Sequence, residues 1–217
     1  DINKDIRADL GLVGDAALII AALIEEIGRQ RAKPDATRLE NLKATIAASK
    51  KAWRADWEKQ LNSDETPINQ YRVINEMMKA TDRDNVIITH EAGSPREQLL
   101  PMWESTKPFG YLGWGKTTQL GYGLGLAMGA KLAAPEKLCI NVMGDASFGM
   151  SGMDIETAAR NDIGIMTVVF NNAMMACERV SLPKSAAKYD ALDIGGNYMK
   201  LAESLNVASY RVKKPSE

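Results

Sequence analysis

Two side chains that carry oxygen ligands stand just beyond apolar, β-branched runs of the sequence. Asp145 comes shortly after residues 138–142, and Asn172 comes shortly after residues 165–170. In parallel sheets, ligands bind at the carboxyl ends of the strands, so neighbouring strands would bring both side chains together. A carboxylate and an amide carbonyl are hard ligands suited to Mg²⁺ or Ca²⁺. The alternative is a pair of ordinary turns, where Asp, Asn and Gly are common.

The residues on either side of Asp145 could bind a phosphate group. Gly144 lets the backbone turn sharply, and Ala146 and Ser147 offer N–H groups leading into a following helix. Backbone N–H groups at such a position can hold phosphate oxygens. A cation site next to a phosphate pocket is therefore the local inference.

A repeated strand-and-helix pattern would position these side chains. Short apolar runs at 86–89, 138–142, 165–170 and 207–212 predict strands, and the segments 68–80, 120–134, 153–160 and 198–205 predict helices. This alternation predicts an α/β fold, with a parallel sheet that has helices on both faces. An apolar helix is also expected after Asp15, which is a good N-cap residue.

Composition excludes several classes of protein. The 217 residues are 45% hydrophobic and 25% charged, which is typical of a globular protein. A net charge of -1 gives no strong field favouring nucleic acid or an anionic membrane, and no apolar run approaches the ~20 residues that span a bilayer. With two cysteines and one histidine, a disulfide framework and a histidine-rich metal site are excluded. Cys139 is expected in the core, and a cytoplasmic location is expected.

Three segments together resemble a known family. Gly144-Asp-Ala-Ser147, followed at the family's spacing by Asn171-Asn172, resembles the signature of thiamine-diphosphate enzymes. The segment from Leu120 to Lys131 is similar to the helix that leads into this signature in the acetohydroxyacid synthase and pyruvate oxidase family. The resemblance covers roughly residues 67–210 and implies the thiamine-diphosphate-binding fold.

The resemblance implies the cofactors thiamine diphosphate and Mg²⁺. Asp145, Asn172 and the main-chain carbonyl of Met174 would be the protein ligands of the ion. Gly144, Ala146 and Ser147 would bind the diphosphate, and Gly93 and Ser94 are further candidates from the loop after residues 86–89.

The resemblance also implies groups that act on the reacting part of the cofactor. Leu120 would wedge the cofactor into its bent form, and the main-chain carbonyl of Thr118 would accept a hydrogen bond from the aminopyrimidine. Leu120 as an ordinary helix-core residue is the alternative.

The substrate pocket is less well indicated by the sequence. Met175, Cys177 and Glu178 are candidates to border the substrate. His90 is a candidate acid or base, because its ordinary pKa lies near neutrality, and a structural role is the alternative.

Three parts of the chain are predicted. Residues 1–30 resemble the tail of the family's middle domain, 31–66 would be a helical linker, and 67–217 would bind Mg²⁺ and the diphosphate end of the cofactor. No segment resembles the pyrimidine-binding domain, which carries the family's activating glutamate. The chain is therefore expected to be inactive without that domain, whether it is a fragment or one subunit of a split enzyme.

The predicted activity is that of a 2-keto-acid decarboxylase or carboligase similar to acetolactate synthase, a transferase or lyase. A homodimer or homotetramer is expected, and FAD binding in the parent enzyme stays open. One alternative is a non-catalytic assembly subunit of a split enzyme. Another is a dinucleotide-binding module, suggested by Gly121-Tyr-Gly-Leu-Gly125, although the stretch before it does not resemble a strand.

Overall fold

The chain forms two compact units, residues 1–56 and 57–217. The computed structural model describes residues 2–31, 33, 35–113 and 119–217. The first unit contains helices α1 (Ala16–Arg29) and α2 (Ala36–Asp56), and none of the residues described in them is buried. Asp15 caps α1 as predicted, because its side chain accepts a hydrogen bond of 3.0 Å from the Leu18 N–H.

The second unit is built on a four-stranded parallel sheet with the order β2-β1-β3-β4. Its strands are β1 (Val86–His90), β2 (Tyr111–Leu112), β3 (Leu138–Gly144) and β4 (Ile165–Phe170). The pairing of β3 with β4 runs from Cys139 opposite Ile165 to Gly144 opposite Phe170, so both strands end at the same level.

Eight α-helices accompany this sheet among the residues that the structure describes. They are α3 (Glu58–Leu61), α4 (Gln70–Ala80), α5 (Ser94–Met102), α6 (Tyr122–Ala133), α7 (Asp145–Ser151), α8 (Ile155–Arg160), α9 (Pro183–Tyr189) and α10 (Tyr198–Ser204). In this set, no helix is long and apolar enough to cross a membrane.

Helices cover both faces of the sheet, which confirms the predicted fold class. On one face, Ile88 and Ile140 pack in a cluster with Ile74 of α4 and Leu99 of α5. On the other face, two clusters pack against α6. They contain Leu124 with Met143 and Phe148, and Ala130 with Ile87 and Cys139. The alternation of side chains along each strand explains why both faces are apolar.

One predicted strand is wrong. Residues 207–212 form no strand, and they bond to the preceding helix instead: the Val207 N–H donates to the Ala202 carbonyl and the Ser209 hydroxyl donates to the Met199 carbonyl. A β-branched run favours extended backbone, but it does not specify a pairing partner. The short strand β2 was not predicted, because two residues are too few to show a pattern.

Helix α6 approaches the sheet very closely at Gly123. A Cβ atom on Gly123 would lie 2.7 Å from the His90 carbonyl oxygen and 2.6 Å from Asn141 Oδ1. The Thr89 hydroxyl of β1 also contacts the helix here, because it donates a hydrogen bond of 2.9 Å to the Gly123 carbonyl oxygen. Glycine at this position is thus what permits the helix to pack on β1 and β3.

Candidate functional site

The turns after β3 and β4 meet at the carboxyl edge of the sheet. Asp145 is 2% exposed and begins α7 directly after β3. Its Oδ2 accepts a hydrogen bond of 2.6 Å from the N–H of Ala173, which lies in the turn after β4. The two turns that the sequence pattern paired are therefore in direct contact.

The turn after β4 is held in shape by its own asparagines. Asn171 Oδ1 accepts from the Ala173 N–H at 3.2 Å, and Asn172 Oδ1 accepts from the Met174 N–H at 3.1 Å. Ala173 adopts a φ of 57°, in the left-handed region that non-glycine residues seldom occupy. Short side-chain bonds of this kind stabilise tight turns, and here they bring the Asn172 side chain next to Met174.

The carbonyl of Met174 is not used by the pairing around it. Met174 forms an isolated antiparallel bridge with Asp193, but the two hydrogen bonds use the Met175 N–H and the Ala173 carbonyl. Within the described ranges no donor bonds to the carbonyl of Met174, which leaves it available for another contact. Asp145, Asn172 and this carbonyl together would offer three hard oxygen atoms.

These oxygen atoms suit a magnesium ion better than a transition metal. No group of three or more His, Cys, Asp or Glu residues is found within the described ranges. One carboxylate, one amide and one main-chain carbonyl leave room for other oxygen ligands, which is how Mg²⁺ is usually held next to phosphates. The donor set therefore fits the ion implied by the sequence.

Ser147 is an unsatisfied polar group within this site. Its side chain is 1% exposed, and Oγ has no hydrogen-bond partner in the described part of the chain. A buried hydroxyl without a partner is costly, so such a group indicates a place for a ligand oxygen. The Ala146 N–H already donates to Asp145 Oδ1 at 2.9 Å, which makes Ser147 the better phosphate donor of the two.

Gly93 and Ser94 line the same cleft as Asp145 and Asn172. Gly93 precedes α5 with a φ of 86°, a conformation that other residues rarely adopt. Cys177 Sγ lies 3.5 Å from Ser94 Oγ and would be 3.8 Å from a Cβ atom on Gly93. The structure thereby places the predicted substrate-side residue Cys177 against the predicted diphosphate loop.

Leu120 also lines this cleft, in which it is half-buried. The cleft has a volume of 1890 Å³, larger than the ~300–1,000 Å³ of most small-molecule sites. Met174, Met175 and Glu178 contribute to it as well. Thr118 lies outside the described residues.

His90 sits in a packed environment. Its ring lies 5.4 Å from the Tyr111 ring, and Nδ1 donates to the Glu91 carbonyl at 3.1 Å. Burial lowers the pKa of His90 below its usual 6.5, so the neutral form is favoured near pH 7. These contacts favour the structural interpretation.

Glu91 is a buried acidic residue, just before the loop of Gly93 and Ser94, that sequence reasoning did not single out. It is completely buried, and its carboxylate accepts from the N–H of Gly121 at 2.7 Å and from the N–H of Leu124 at 3.2 Å. The N-terminus of α6 is thus occupied by a carboxylate of the chain itself, which argues against a dinucleotide phosphate at that helix end. The available signal was an acidic residue directly after an apolar strand.

Comparison with known proteins places the chain in a family. Residues 91–217, more than half of the chain, match the family model for the C-terminal TPP-binding domain of thiamine pyrophosphate enzymes. The chain belongs to this family. Its parallel sheet covered by helices agrees with such a thiamine-diphosphate-binding domain.

Full-length relatives of this thiamine-diphosphate-binding chain have several names. A probable acetolactate synthase large subunit of Methanococcus aeolicus is 25% identical over 238 residues, covering 100% of this chain and 38% of its own length. The 2-hydroxyacyl-CoA lyase of Arabidopsis thaliana is 28% identical over 224 residues, which cover 97% of this chain and 38% of the lyase. The sulfoacetaldehyde acetyltransferase of Castellaniella defragrans is 29% identical over 191 residues, which cover 80% of this chain and 31% of the transferase. The chain thus spans less than two fifths of the length of these relatives.

Proposed function

We propose that residues 67–217 form the Mg²⁺- and diphosphate-binding domain of a thiamine-diphosphate-dependent 2-keto-acid decarboxylase or carboligase, similar to acetolactate synthase. The observation that carries this proposal is the 2.6 Å hydrogen bond from the Ala173 N–H to Asp145 Oδ2. It brings the Gly-Asp turn and the Asn-Asn turn of the cofactor signature to one point, with an ionisable oxygen at their meeting place.

Each part of the site has a physical role. The side chains of Asp145 and Asn172 and the carbonyl of Met174 would hold Mg²⁺, which offsets the charge of the diphosphate. The Ser147 hydroxyl would donate to a diphosphate oxygen. Gly144 lines the same cleft, but its φ of -86° and ψ of 165° are ordinary extended backbone, so the expectation of a sharp turn at this glycine is wrong. Gly93 and Ser94 would approach the diphosphate from the opposite loop.

The remaining cleft residues would orient the reacting end of the cofactor and the substrate. Bound thiamine diphosphate supplies the carbon nucleophile and the electron sink that 2-keto-acid chemistry requires. Leu120 would wedge the cofactor into its bent form and exclude water, and the Thr118 carbonyl would accept a hydrogen bond from the aminopyrimidine. Met175, Cys177 and Glu178 would border the substrate.

The partners follow from what this domain lacks. No segment of the sequence resembles a pyrimidine-binding domain, so we propose that such a domain, of the same or another chain, must face the cleft before turnover occurs. Residues 1–30 and 31–66 would then be the tail of a middle domain and a linker. A cytoplasmic homodimer or homotetramer would provide the facing domain.

The substrate class rests on the relatives' names. Acetolactate synthase, 2-hydroxyacyl-CoA lyase and sulfoacetaldehyde acetyltransferase all have names that indicate making or breaking a bond to an acyl or hydroxyacyl unit. We propose a small 2-keto acid as donor.

Calorimetric titration of the full chain with thiamine diphosphate tests this proposal. Binding should require Mg²⁺ and should disappear when a chelator is added, because the diphosphate oxygens complete the coordination of the ion. Thiamine without phosphate serves as the control and should bind no better with Mg²⁺ than without it. Equal binding of both compounds, or no effect of Mg²⁺, would contradict the assignment.

Substitution of Ser147 tests the diphosphate contact separately. Ser147→Ala removes a buried hydroxyl that has no partner in the described chain, so the free energy of unfolding without cofactor should rise, by about 1 kcal/mol or more. Affinity for Mg²⁺ and thiamine diphosphate should fall by about 3- to 10-fold, the worth of one hydrogen bond. The two quantities are measured by thermal unfolding and calorimetry.

Ser151→Ala is the matched control, because the Ser151 hydroxyl is already bonded to the Ser147 carbonyl at 3.3 Å. It should leave the affinity unchanged. If both serine variants bind equally well, Ser147 does not contact the diphosphate.

A further inference from the structure

Glu91 is a buried carboxylate to which the proposed cofactor site gives no task. It lies at the end of β1, between His90 and the loop that contains Gly93 and Ser94. Its oxygens accept from the N–H groups of Gly121 and Leu124, at the first turn of α6. A negative charge at this helix end is favourable because the N-terminal N–H groups carry partial positive charge.

The hydrogen bond between Glu91 and Gly121 connects two segments of the chain that contribute residues to the cleft. The cleft is lined by Gly93 and Ser94, which follow Glu91 by two and three residues. It is also lined by Leu120, which directly precedes Gly121. Gly121 has a φ of 89°, so the chain turns sharply at the residue whose N–H the carboxylate holds. Leu120 precedes α6, so the direction of the chain at Leu120 depends on how that N–H is held.

We propose, on the basis of the proposed function, that Glu91 is a positioning residue, which fixes Leu120 in the cofactor cleft by holding the N–H of Gly121. Glu91 does not touch the cofactor and acts through Leu120. It also sets the spacing between Leu120 and the loop of Gly93 and Ser94.

The energetics of Glu91 agree with a role other than stability. Burial raises the pKa of Glu91 above its usual 4.5, although the N–H groups of residues 121–124 lower it in part. The folded chain therefore holds the proton more tightly than the unfolded chain, and stability is lost as pH rises from 4.5 through the raised pKa. Ionisation of Glu91 therefore lowers the stability of the fold, although the carboxylate accepts two N–H bonds.

A double-mutant cycle tests the proposal. Affinity of the full chain for Mg²⁺ and thiamine diphosphate is measured by calorimetry for the unsubstituted chain, Glu91→Gln, Leu120→Ala and the double variant. Glutamine keeps the shape, but it has one acceptor oxygen for the two N–H groups of Gly121 and Leu124, so its NH2 group must face one of them and that bond is lost. Glu91→Gln should weaken binding about tenfold in the unsubstituted chain and less than about twofold in the Leu120→Ala background.

Thr89→Val is the matched control. The Thr89 hydroxyl is also buried and donates to α6, at the Gly123 carbonyl, but it does not hold Gly121. Its effect on affinity, whatever its size, should be the same in both backgrounds. Equal losses from Glu91→Gln in the two backgrounds, or no loss in either, would overturn the proposal.

A second readout does not require the cofactor. Amide hydrogen exchange at residues 121–124 should be faster in Glu91→Gln than in Thr89→Val, because only the first variant removes an acceptor oxygen from the N–H groups at the start of α6. Equal exchange in the two variants overturns the proposal. If the unsubstituted chain binds no cofactor, the proposed function fails, and this exchange comparison alone decides whether Glu91 holds α6. Should Glu91→Gln not fold, Glu91→Asp, which keeps the charge on a shorter side chain, replaces it in both measurements.

Discussion

Asp145→Ala should abolish binding of Mg²⁺ and thiamine diphosphate, lowering the affinity by about 100-fold or more. The carboxylate is the only ionised group among the proposed ion ligands, and it is almost fully buried. Without it, the diphosphate and the ion would meet in a pocket that has lost its negative ligand. Calorimetric titration with and without Mg²⁺ measures the effect.

Asp145→Asn separates loss of the ligand from loss of the fold. Asparagine has the same shape, and its remaining oxygen can still accept from the Ala173 N–H, which now bonds to Asp145 at 2.6 Å. The melting temperature should therefore stay closer to that of the unsubstituted chain than for Asp145→Ala, while cofactor binding is still lost.

Asp154→Asn is the matched control, because this carboxylate is exposed and close in sequence. The affinity of Asp154→Asn for Mg²⁺ and thiamine diphosphate should equal that of the unsubstituted chain. An Asp145→Ala variant that binds as tightly as Asp154→Asn would remove Asp145 from the metal site.

Gly123→Ala should be the most destabilising of the glycine substitutions in α6. The new methyl group would lie 2.7 Å from the main-chain oxygen of His90 and 2.9 Å from its carbonyl carbon, and backbone cannot swing aside as a flexible side chain can. The helix would have to move off the sheet, at a cost of about 3 kcal/mol. Thermal unfolding should show a midpoint about 6–12 °C lower.

Gly125→Ala provides the matched control two residues further along the same helix. Nothing lies within 4 Å of a Cβ atom at Gly125. Alanine is a better helix former than glycine, so this variant should be more stable by about 0.5–1 kcal/mol. If the two alanine variants melt at the same temperature, the close approach at Gly123 does not limit the packing of α6.

Local patterns were sufficient for most of the fold. Strand β4 was predicted with its observed bounds, and β1 and β3 within one or two residues at their ends. In buried strands and amphipathic helices, apolar residues recur at a characteristic spacing, which indicates the residues that are buried. The run 207–212 misled because the same period does not say which strand, if any, is the neighbour.

The candidate site was predictable to the extent that its residues follow strands. The adjacency of Asp145 and the Asn-Asn turn could be expected from two consecutive strands of a parallel sheet, and the pairing of Gly144 with Phe170 shows the level at which they end. The hydrogen bonds from the N–H groups of Ala173 and Ala146 to the Asp145 carboxylate could not be expected, because they depend on the detailed shape of each turn.

By itself, the sequence determined the family, the fold class and the residues that follow the two strands, since these depend on short segments whose residue types and spacing are visible. Only the tertiary structure decided that the Glu91 carboxylate bonds to Gly121, that Cys177 lies beside Ser94, and that the Ser147 hydroxyl has no partner among the described residues. Each of these depends on groups far apart in the chain. Their distances are set by the packing of α6 and the loops on the sheet, which leaves no periodic trace in the sequence.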